Sequence, residues 1–198
     1  MAALQAMALG DVDQDGRLDA ILAEASHFVY DETDIIVYRG RGDGSFEAPS
    51  FSASILGFVN DIDVRDLNGD GALDVVAAHD AGSLHVLHGD GSLDFMEIQS
   101  FERCTTASCR GGERVEMGDL DDDGHLDVIT TATRSSSAPH PVAIMVSYGR
   151  GDGTFDGGPT IRHGSAEVVI PADFDADGST DLLVVGGGGT HISTRPCP

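Results

Sequence analysis

A nine-residue acidic pattern occurs four times in the chain, and no other feature constrains its fold as strongly. The pattern reads DVDQDGRLD at 11–19, DLNGDGALD at 66–74, DLDDDGHLD at 119–127 and DFDADGSTD at 173–181. Successive copies start 55, 53 and 54 residues apart. Self-similarity at a fixed period of this size indicates an array of repeated supersecondary units.

The residues around each acidic loop predict strands on both sides. Alternating apolar residues precede the loops, as in DIDVRD at 61–66, and an aliphatic or β-branched run follows them, as in Leu73–Ala78. Three units continue with an apolar strand that enters a Gly-Asp-Gly turn and leaves through an aromatic residue, at 34–46, 83–95 and 142–155. Glycine supplies the positive φ that a tight hairpin requires. Each complete unit is therefore predicted to contain four short antiparallel strands, as in a propeller blade.

We expect an all-β chain of β-propeller-type blades with four antiparallel strands each, forming one repeat domain over residues 1–198. The repeats are predicted at approximately 3–56, 57–110, 111–164 and 165–198. The last is predicted to be truncated, because GGGGTHISTRPCP after Val185 suggests neither a third strand nor a Gly-Asp-Gly hairpin. About three and a half blades fall short of the four to eight that close a propeller. We therefore expect a partial propeller, completed by a second copy or by missing blades, whose uncovered end faces are association surfaces.

The spacing D-x-[DN]-x-D-G-x-x-D places oxygen ligands at positions one, three, five and nine of each loop and a backbone carbonyl oxygen at position seven. Glycine at position six permits the sharp reversal that returns the ninth residue to the ion. Ca²⁺ accepts six to eight hard oxygen ligands and tolerates irregular geometry, whereas Mg²⁺ demands a tighter octahedron. The sequence therefore predicts about four Ca²⁺ ions, one in each loop.

The expected ligands share these five positions in every loop. They are Asp11, Asp13, Asp15, Arg17 and Asp19; Asp66, Asn68, Asp70, Ala72 and Asp74; Asp119, Asp121, Asp123, His125 and Asp127; and Asp173, Asp175, Asp177, Ser179 and Asp181. Arg17, Ala72, His125 and Ser179 are expected to contribute only their carbonyl oxygens. The second loop has one carboxylate fewer, so we expect it to bind calcium most weakly.

Two other interpretations of the acidic loops are weaker. An EF-hand would need a bidentate Glu at position twelve and flanking helices, but that position holds Leu22, Ala77, Thr130 and Val184. Plain Asp-rich turns would have no reason to keep three or four carboxylates in register four times. Two like charges about 4 Å apart repel by about 4 kcal/mol at an effective dielectric near 20, so the clustering favours a bound cation.

The overall charge of the chain also favours a cation as its ligand. The chain carries 34 acidic and 11 basic residues, a net charge of -23. Such a chain repels nucleic acid and anionic membrane surfaces. No apolar run approaches the length that spans a bilayer, and MAALQAMALGD at the N-terminus lacks the signature of a secretory signal. We therefore expect a mature form or an excised piece of a longer protein.

The four loops and the three Gly-Asp-Gly hairpins resemble the FG-GAP repeat, also described as the VCBS type, of integrin α-subunit propellers and many secreted proteins. The resemblance covers nearly the whole chain and implies a calcium-stabilised propeller outside the cytosol. A WD40 propeller is not expected because the chain has no Trp. Members of this family serve adhesion, bind sugars or accompany enzymes, and the fold alone does not select among these roles.

We expect a calcium-binding, calcium-stabilised extracellular binding or adhesion module with no catalytic activity. The alternatives are a lectin with sugar sites between blades and an accessory, non-catalytic domain of a larger secreted enzyme. No HExxH or GxSxG motif suggests a catalytic centre. The protein or glycan partner is not predicted.

Some remaining features invite functional interpretations. Cys104 and Cys109 are either bridged across a surface loop or, with Cys197, unrelated thiols. Two RGD tripeptides, at 41–43 and 150–152, occupy the same point of the repeated hairpin, so the turn itself explains their Gly and Asp. His85 and His88 are three apart on a predicted strand and so face opposite ways; both are expected to be ordinary strand residues.

Overall fold

Strands account for all the regular secondary structure in the described part of the chain. The computed structural model describes residues 3–26, 32–79, 83–102, 109–134, 142–163, 168–186 and 189–193. Its strands are β1 (Leu4–Gly10), β2 (Asp19–Ala25), β3 (Glu32–Tyr38), β4 (Ser50–Leu56), β5 (Val59–Arg65), β6 (Asp74–His79), β7 (Ser83–Gly89), β8 (Phe95–Glu102), β9 (Cys109–Gly118), β10 (Asp127–Arg134), β11 (Val142–Gly149), β12 (Phe155–His163), β13 (Val168–Ala172), β14 (Asp181–Gly186) and β15 (Gly189–Ser193). Within these ranges no helix could serve as a membrane span.

The strands pair in chain order into separate antiparallel sheets. Three sheets have four strands each, β1–β4, β5–β8 and β9–β12, and the last consists of β13–β15. The all-β fold class and the four-stranded, blade-like unit are confirmed. The described sheets do not close into a barrel, which agrees with a partial propeller.

The last sheet differs from the prediction in one strand. No third strand was expected after Val185, but β15 pairs with β14, with Ile192 opposite Leu183 and Thr190 opposite Val185. The prediction was wrong because a glycine run does not by itself end regular structure. Thr190 and Ile192, which follow it, are β-branched and suit a strand.

The sheets stack face to face, and the alternation of side chains along their strands explains why. In β6, Val75 and Ala77 belong to the apolar cluster between the first and second sheets, whereas Val76 and Ala78 belong to the cluster between the second and third. All four are fully buried. A strand whose successive side chains point to opposite faces can fill two interfaces only if both are apolar. The first strand of each sheet also contacts the first strand of the next.

The two outermost faces of the stack have no sheet packed on them among the described residues. On the first sheet, Met7 lies opposite Leu22 and Leu9 opposite Ala20, while Ile36 pairs with Phe51. Met7, Leu9 and Phe51 are 54%, 51% and 60% exposed. We call this surface the first end face. The outward side of the last sheet is also apolar, with Ile170 opposite Leu183.

Candidate metal centre

Each acidic loop connects the first and second strands of its sheet, and hydrogen bonds within the loop hold its shape. The carboxylate at position one accepts the N–H of the glycine at position six in all four loops, at 2.9 to 3.0 Å. That glycine has a φ between 84° and 94°, in the left-handed region where side chains are disfavoured. Neighbouring loops touch, since Gln14 Nε2 donates to the carbonyl oxygen of Gly71 at 3.1 Å.

Position four of the loops also adopts a positive φ, although three of the four residues there are not glycine. Gln14, Asp122 and Ala176 have φ values of 58°, 61° and 60°. Non-glycine residues rarely adopt this conformation because it brings Cβ close to backbone atoms. The loop sequence therefore accepts local backbone strain at a fixed position, a pattern that often marks functional sites.

The aspartate at position nine braces the loop against the rest of its sheet. Asp19, Asp74, Asp127 and Asp181 are each at most 3% exposed. One carboxylate oxygen accepts the N–H of the residue at position two, at 2.8 to 3.1 Å. In the first three sheets the other oxygen accepts an N–H from the hairpin glycine, which is Gly40, Gly89 or Gly149, at 2.8 to 3.0 Å.

The hairpin glycine is required by close approach of the backbone. A Cβ added to Gly40 would lie 2.0 Å from the carbonyl oxygen of Leu18, and Gly89 and Gly149 face Leu73 and Leu126 in the same way at 2.1 and 2.2 Å. Any side chain there would push the acidic loop away from the third strand. The repeated hairpin motif and the repeated acidic loop are therefore two halves of one structure.

The structure brings carboxylates together in three of the four loops. In each, three residues place one oxygen apiece within 4.8 Å of one another. These trios are Asp11, Asp13 and Asp15; Asp119, Asp121 and Asp127; and Asp173, Asp175 and Asp181. Such groups could hold a metal ion. The second loop, which has Asn68 at position three, forms no trio.

The other expected side-chain ligands, including those of the second loop, accept hydrogen bonds from the backbone of their own loops. The carboxylates at position five, Asp70, Asp123 and Asp177, accept the backbone N–H of Ala72, His125 and Ser179, as Asp15 does from Arg17. Asp66 accepts from Gly69 and Gly71, and Asn68 accepts from Asp70. Every side-chain position predicted to ligate therefore lies in the same tight turn as its partners.

One atom tests whether a cation fits the first loop. Oδ1 of Asp11 is buried and has no hydrogen-bond partner in the protein, although Oδ2 of the same residue is bonded to Gly16. Nearly all buried polar atoms have a partner, so a buried carboxylate oxygen without one needs an explanation. A divalent ion would satisfy it, and the oxygen-only donor set is the kind that Ca²⁺ prefers.

Burial and crowding raise carboxylate pKa values in the third loop. Burial raises the pKa of Asp127 to about 6, although hydrogen bonds from Gly149 and Leu120 act in the opposite direction. Burial and the nearby charge of Asp123 also raise the pKa of Asp121 above its ordinary value. In the protein alone, ionising these carboxylates is thus less favourable than in water, and a cation between them would offset that cost.

A position that the sequence analysis missed lies immediately before the hairpin glycine and reaches the acidic loop. It holds Arg39 in the first sheet, His88 in the second and Tyr148 in the third. Arg39 pairs with Asp13 and Asp15. His88 lies in strand β7, as expected, and its Nδ1 also lies 2.9 Å from Asp74 Oδ1, a contact that the sequence analysis did not predict. Aligning the three hairpins on their glycine would have found this position.

His85 behaves as expected for a strand residue. It is 8% exposed, and its Nδ1 lies 2.6 Å from Oε1 of Glu97 on the neighbouring strand β8. Its ring also meets that of His79 edge to face. Nothing in this environment connects His85 with the acidic loop.

The RGD aspartates are engaged within their own turns. Asp43 accepts both the N–H and the hydroxyl of Ser45, at 2.9 and 2.6 Å, and Asp152 does the same with Thr154. These hydroxyl hydrogen bonds lower the pKa of both carboxyl groups. The contacts agree with the turn interpretation. The proposed Cys104–Cys109 pairing lies outside the described residues.

Comparison with known proteins identifies the repeat. The sequence pattern of the FG-GAP-like repeat matches residues 11–77 and 66–130, which together cover more than half of the chain. No curated protein matches the sequence. Each matched segment begins at an acidic loop and runs beyond the start of the next one. The chain belongs to the FG-GAP-like repeat family.

Proposed function

We propose that this chain is a calcium-binding, calcium-stabilised extracellular binding module of the adhesion type, without catalytic activity. The observation that supports this most directly is the recurrence of carboxylate trios in three of the acidic loops, together with the buried, unpartnered Oδ1 of Asp11. FG-GAP repeats are typically extracellular and non-catalytic, which supports the location and the class of function.

The loops explain how an ion would stabilise a sheet. Calcium, when bound, would supply positive charge to carboxylates that otherwise repel one another. The side chains at positions one, three and five would hold it, with the carbonyl oxygen at position seven and the aspartate at position nine. Because the position-nine aspartate also accepts N–H groups from the loop and from the hairpin glycine, an ordered loop fixes three strands at once. In this proposal the ions fix the loops and another surface meets the partner.

A calcium titration of chelator-stripped protein tests the binding. We expect four equivalents by isothermal titration calorimetry, the second loop being the weakest. Replacing Asp119 and Asp121 together by Asn should leave three, because two of the three carboxylates in that trio are lost. The matched control replaces Asp43 and Asp152 by Asn, which changes the net charge equally outside the loops and should retain four. Wild-type protein that takes up no calcium would contradict the proposal.

We further propose that a second copy of the chain covers the first end face. Within the chain, apolar sheet faces are covered by the next sheet at three successive interfaces. The last sheet also presents an apolar outward side, so two copies arranged head to tail would continue the same stacking. Two copies supply eight sheets, within the range of about four to eight blades at which propellers close.

The mass in solution tests this association. We expect sedimentation equilibrium to give twice the chain mass of 20.6 kDa. Replacing Leu9 and Phe51 by Asp should yield single chains, and the change should be tolerated in the fold because both side chains are more than half exposed. Met96→Asp is the control, since Met96 is 65% exposed on an interior sheet. A wild-type mass of one chain would contradict the association.

A further inference from the structure

The residue before the hairpin glycine meets the acidic loop with a different chemistry in each complete sheet. In the first sheet, Nε of Arg39 lies 2.5 Å from Oδ2 of Asp13, and Nη2 of Arg39 lies 2.9 Å from Oδ2 of Asp15. Both carboxylates belong to the trio of the first loop. In the third sheet the equivalent residue is Tyr148, which carries no positive charge.

We propose that Arg39 is an internal cation of the first acidic loop, which competes with calcium for Asp13 and Asp15 and makes this loop bind calcium more weakly than the third. This inference rests on the proposed function and concerns how one of its sites is regulated. It predicts that calcium fills the third loop before the first.

Competition follows from the oxygens involved. A guanidinium group offers a fixed positive charge and several N–H donors, so it can satisfy two carboxylates at once. A calcium ion in the first loop would need oxygens of the same two side chains. Their Oδ1 atoms already accept the backbone N–H groups of Asp15 and Arg17, so calcium would have to bind the Oδ2 atoms that Arg39 contacts. Calcium binding therefore requires Arg39 to leave, and the free energy of its two ion pairs opposes the ion.

The surroundings of Arg39 allow it to leave. Its side chain is 37% exposed and follows directly after the end of β3. The negative charge of Glu47 also acts on Arg39, in the same direction as the charges of Asp13 and Asp15. Glu47 is itself 48% exposed and so offers the displaced guanidinium another partner near the surface. The loop thus has an arrangement with the arginine inside and one with the ion inside.

The third loop lacks this competitor. Tyr148 lies beside Asp121 and Asp127 of that trio, and a phenol is uncharged at neutral pH. Tyr148 therefore does not compete with an entering cation as Arg39 does. Without calcium the first loop should consequently be the better ordered of the two, because its carboxylates already have a counter-charge.

Exchanging the two residues tests the inference. The glycines at position six report each loop separately, because the N–H groups of Gly16 and Gly124 donate to Asp11 and Asp119. We would follow them by NMR of ¹⁵N-glycine-labelled protein during calcium titration. Arg39→Tyr should lower the calcium Kd of the first loop at least about tenfold, which corresponds to about 1.4 kcal/mol. It should leave the third loop unchanged. Tyr148→Arg should weaken the third loop to a similar extent.

Arg41→Tyr is the control for a general charge effect. This substitution removes the same positive charge two residues away from Arg39. Arg41 is 53% exposed and contacts Glu47 rather than the acidic loop. It should shift the Gly16 titration by less than about twofold, as expected for a screened surface charge. Arg39→Lys keeps the positive charge but loses the planar guanidinium group that can bind two carboxylates at once. The calcium Kd of its first loop should therefore fall between those of the wild type and Arg39→Tyr.

The outcomes separate the inference from the proposed function. If the glycines of the other loops titrate with calcium while Arg39→Tyr leaves the Gly16 midpoint unchanged, the arginine does not compete and the inference is wrong, although the calcium function stands. If none of the four position-six glycines responds to calcium in the wild type or in Arg39→Tyr, the calcium function fails and the inference fails with it.

Discussion

Removing calcium should bring the protein close to unfolding. Each loop saturated at about a hundred times its Kd contributes about 2.7 kcal/mol to the free energy of unfolding, so four loops would contribute about 11 kcal/mol. A total stability of about 5–15 kcal/mol is typical of folded proteins. The physical reason is that a loop stripped of calcium keeps its clustered carboxylates but loses the ion that neutralised them, although Arg39 remains as a counter-charge in the first loop.

Urea unfolding followed by circular dichroism, with excess calcium and with excess chelator, measures this difference. Magnesium at the same concentration is the control, because it dehydrates reluctantly and fits a flexible multi-oxygen loop poorly. It should restore only a small part of the lost stability. An unfolding midpoint that is the same with calcium and with chelator would show that the loops do not use the ion for stability.

Replacing Asp74 by Ala should destabilise the protein by about 3–5 kcal/mol even without calcium, because it leaves buried donors without an acceptor. Urea unfolding in chelator measures this loss, with an osmolyte such as TMAO in every sample to keep the calcium-free protein folded. Asp74 accepts the N–H groups of Leu67 and Gly89, both at 3.0 Å, and also contacts His88. Asp74→Asn keeps one carbonyl oxygen and should lose roughly half as much.

Asp70→Ala provides the matched comparison in the same loop. The side chain of Asp70 is 42% exposed, whereas that of Asp74 is 1% exposed. Its removal in chelator should cost less than about 1 kcal/mol, as is usual at exposed positions. With calcium present, the loss should grow, because Asp70 is an expected ligand. Equal losses for Asp70→Ala and Asp74→Ala in chelator would show that position nine is not a brace.

Much of the architecture was predictable because it depends on local, repeated chemistry. The strand on each side of an acidic loop follows from side-chain alternation, as in β6, and the loop follows from carboxylates at odd positions with glycine at position six. The third strand of the last sheet was missed for the opposite reason. Residues 190–193 are too few to show a period, and their pairing with β14 supplies what the local sequence does not.

Contacts between segments distant in sequence could not be predicted in the same way. Asp19 and Gly40 are 21 residues apart, and nothing local indicates that a carboxylate expected to bind an ion also accepts the N–H of a hairpin glycine. Arg39 is similar, because a lone arginine before a Gly-rich turn is unremarkable in sequence. Only the antiparallel pairing of β2 with β3 brings it to the acidic loop.

The sequence by itself determined the repeat, because the acidic pattern recurs at nearly constant spacing along the chain. It also determined the strands, the acidic turns and the hard-oxygen chemistry that the turns offer a cation, since each of these depends on residues within about a dozen positions of one another. The tertiary structure alone decided which carboxylates converge, which aspartates are braces, which side chain enters each loop and which sheet faces stay open. The last three of these outcomes depend on how strands and sheets pack, and a one-residue change in register would turn the side chains of the shifted strand to the opposite face.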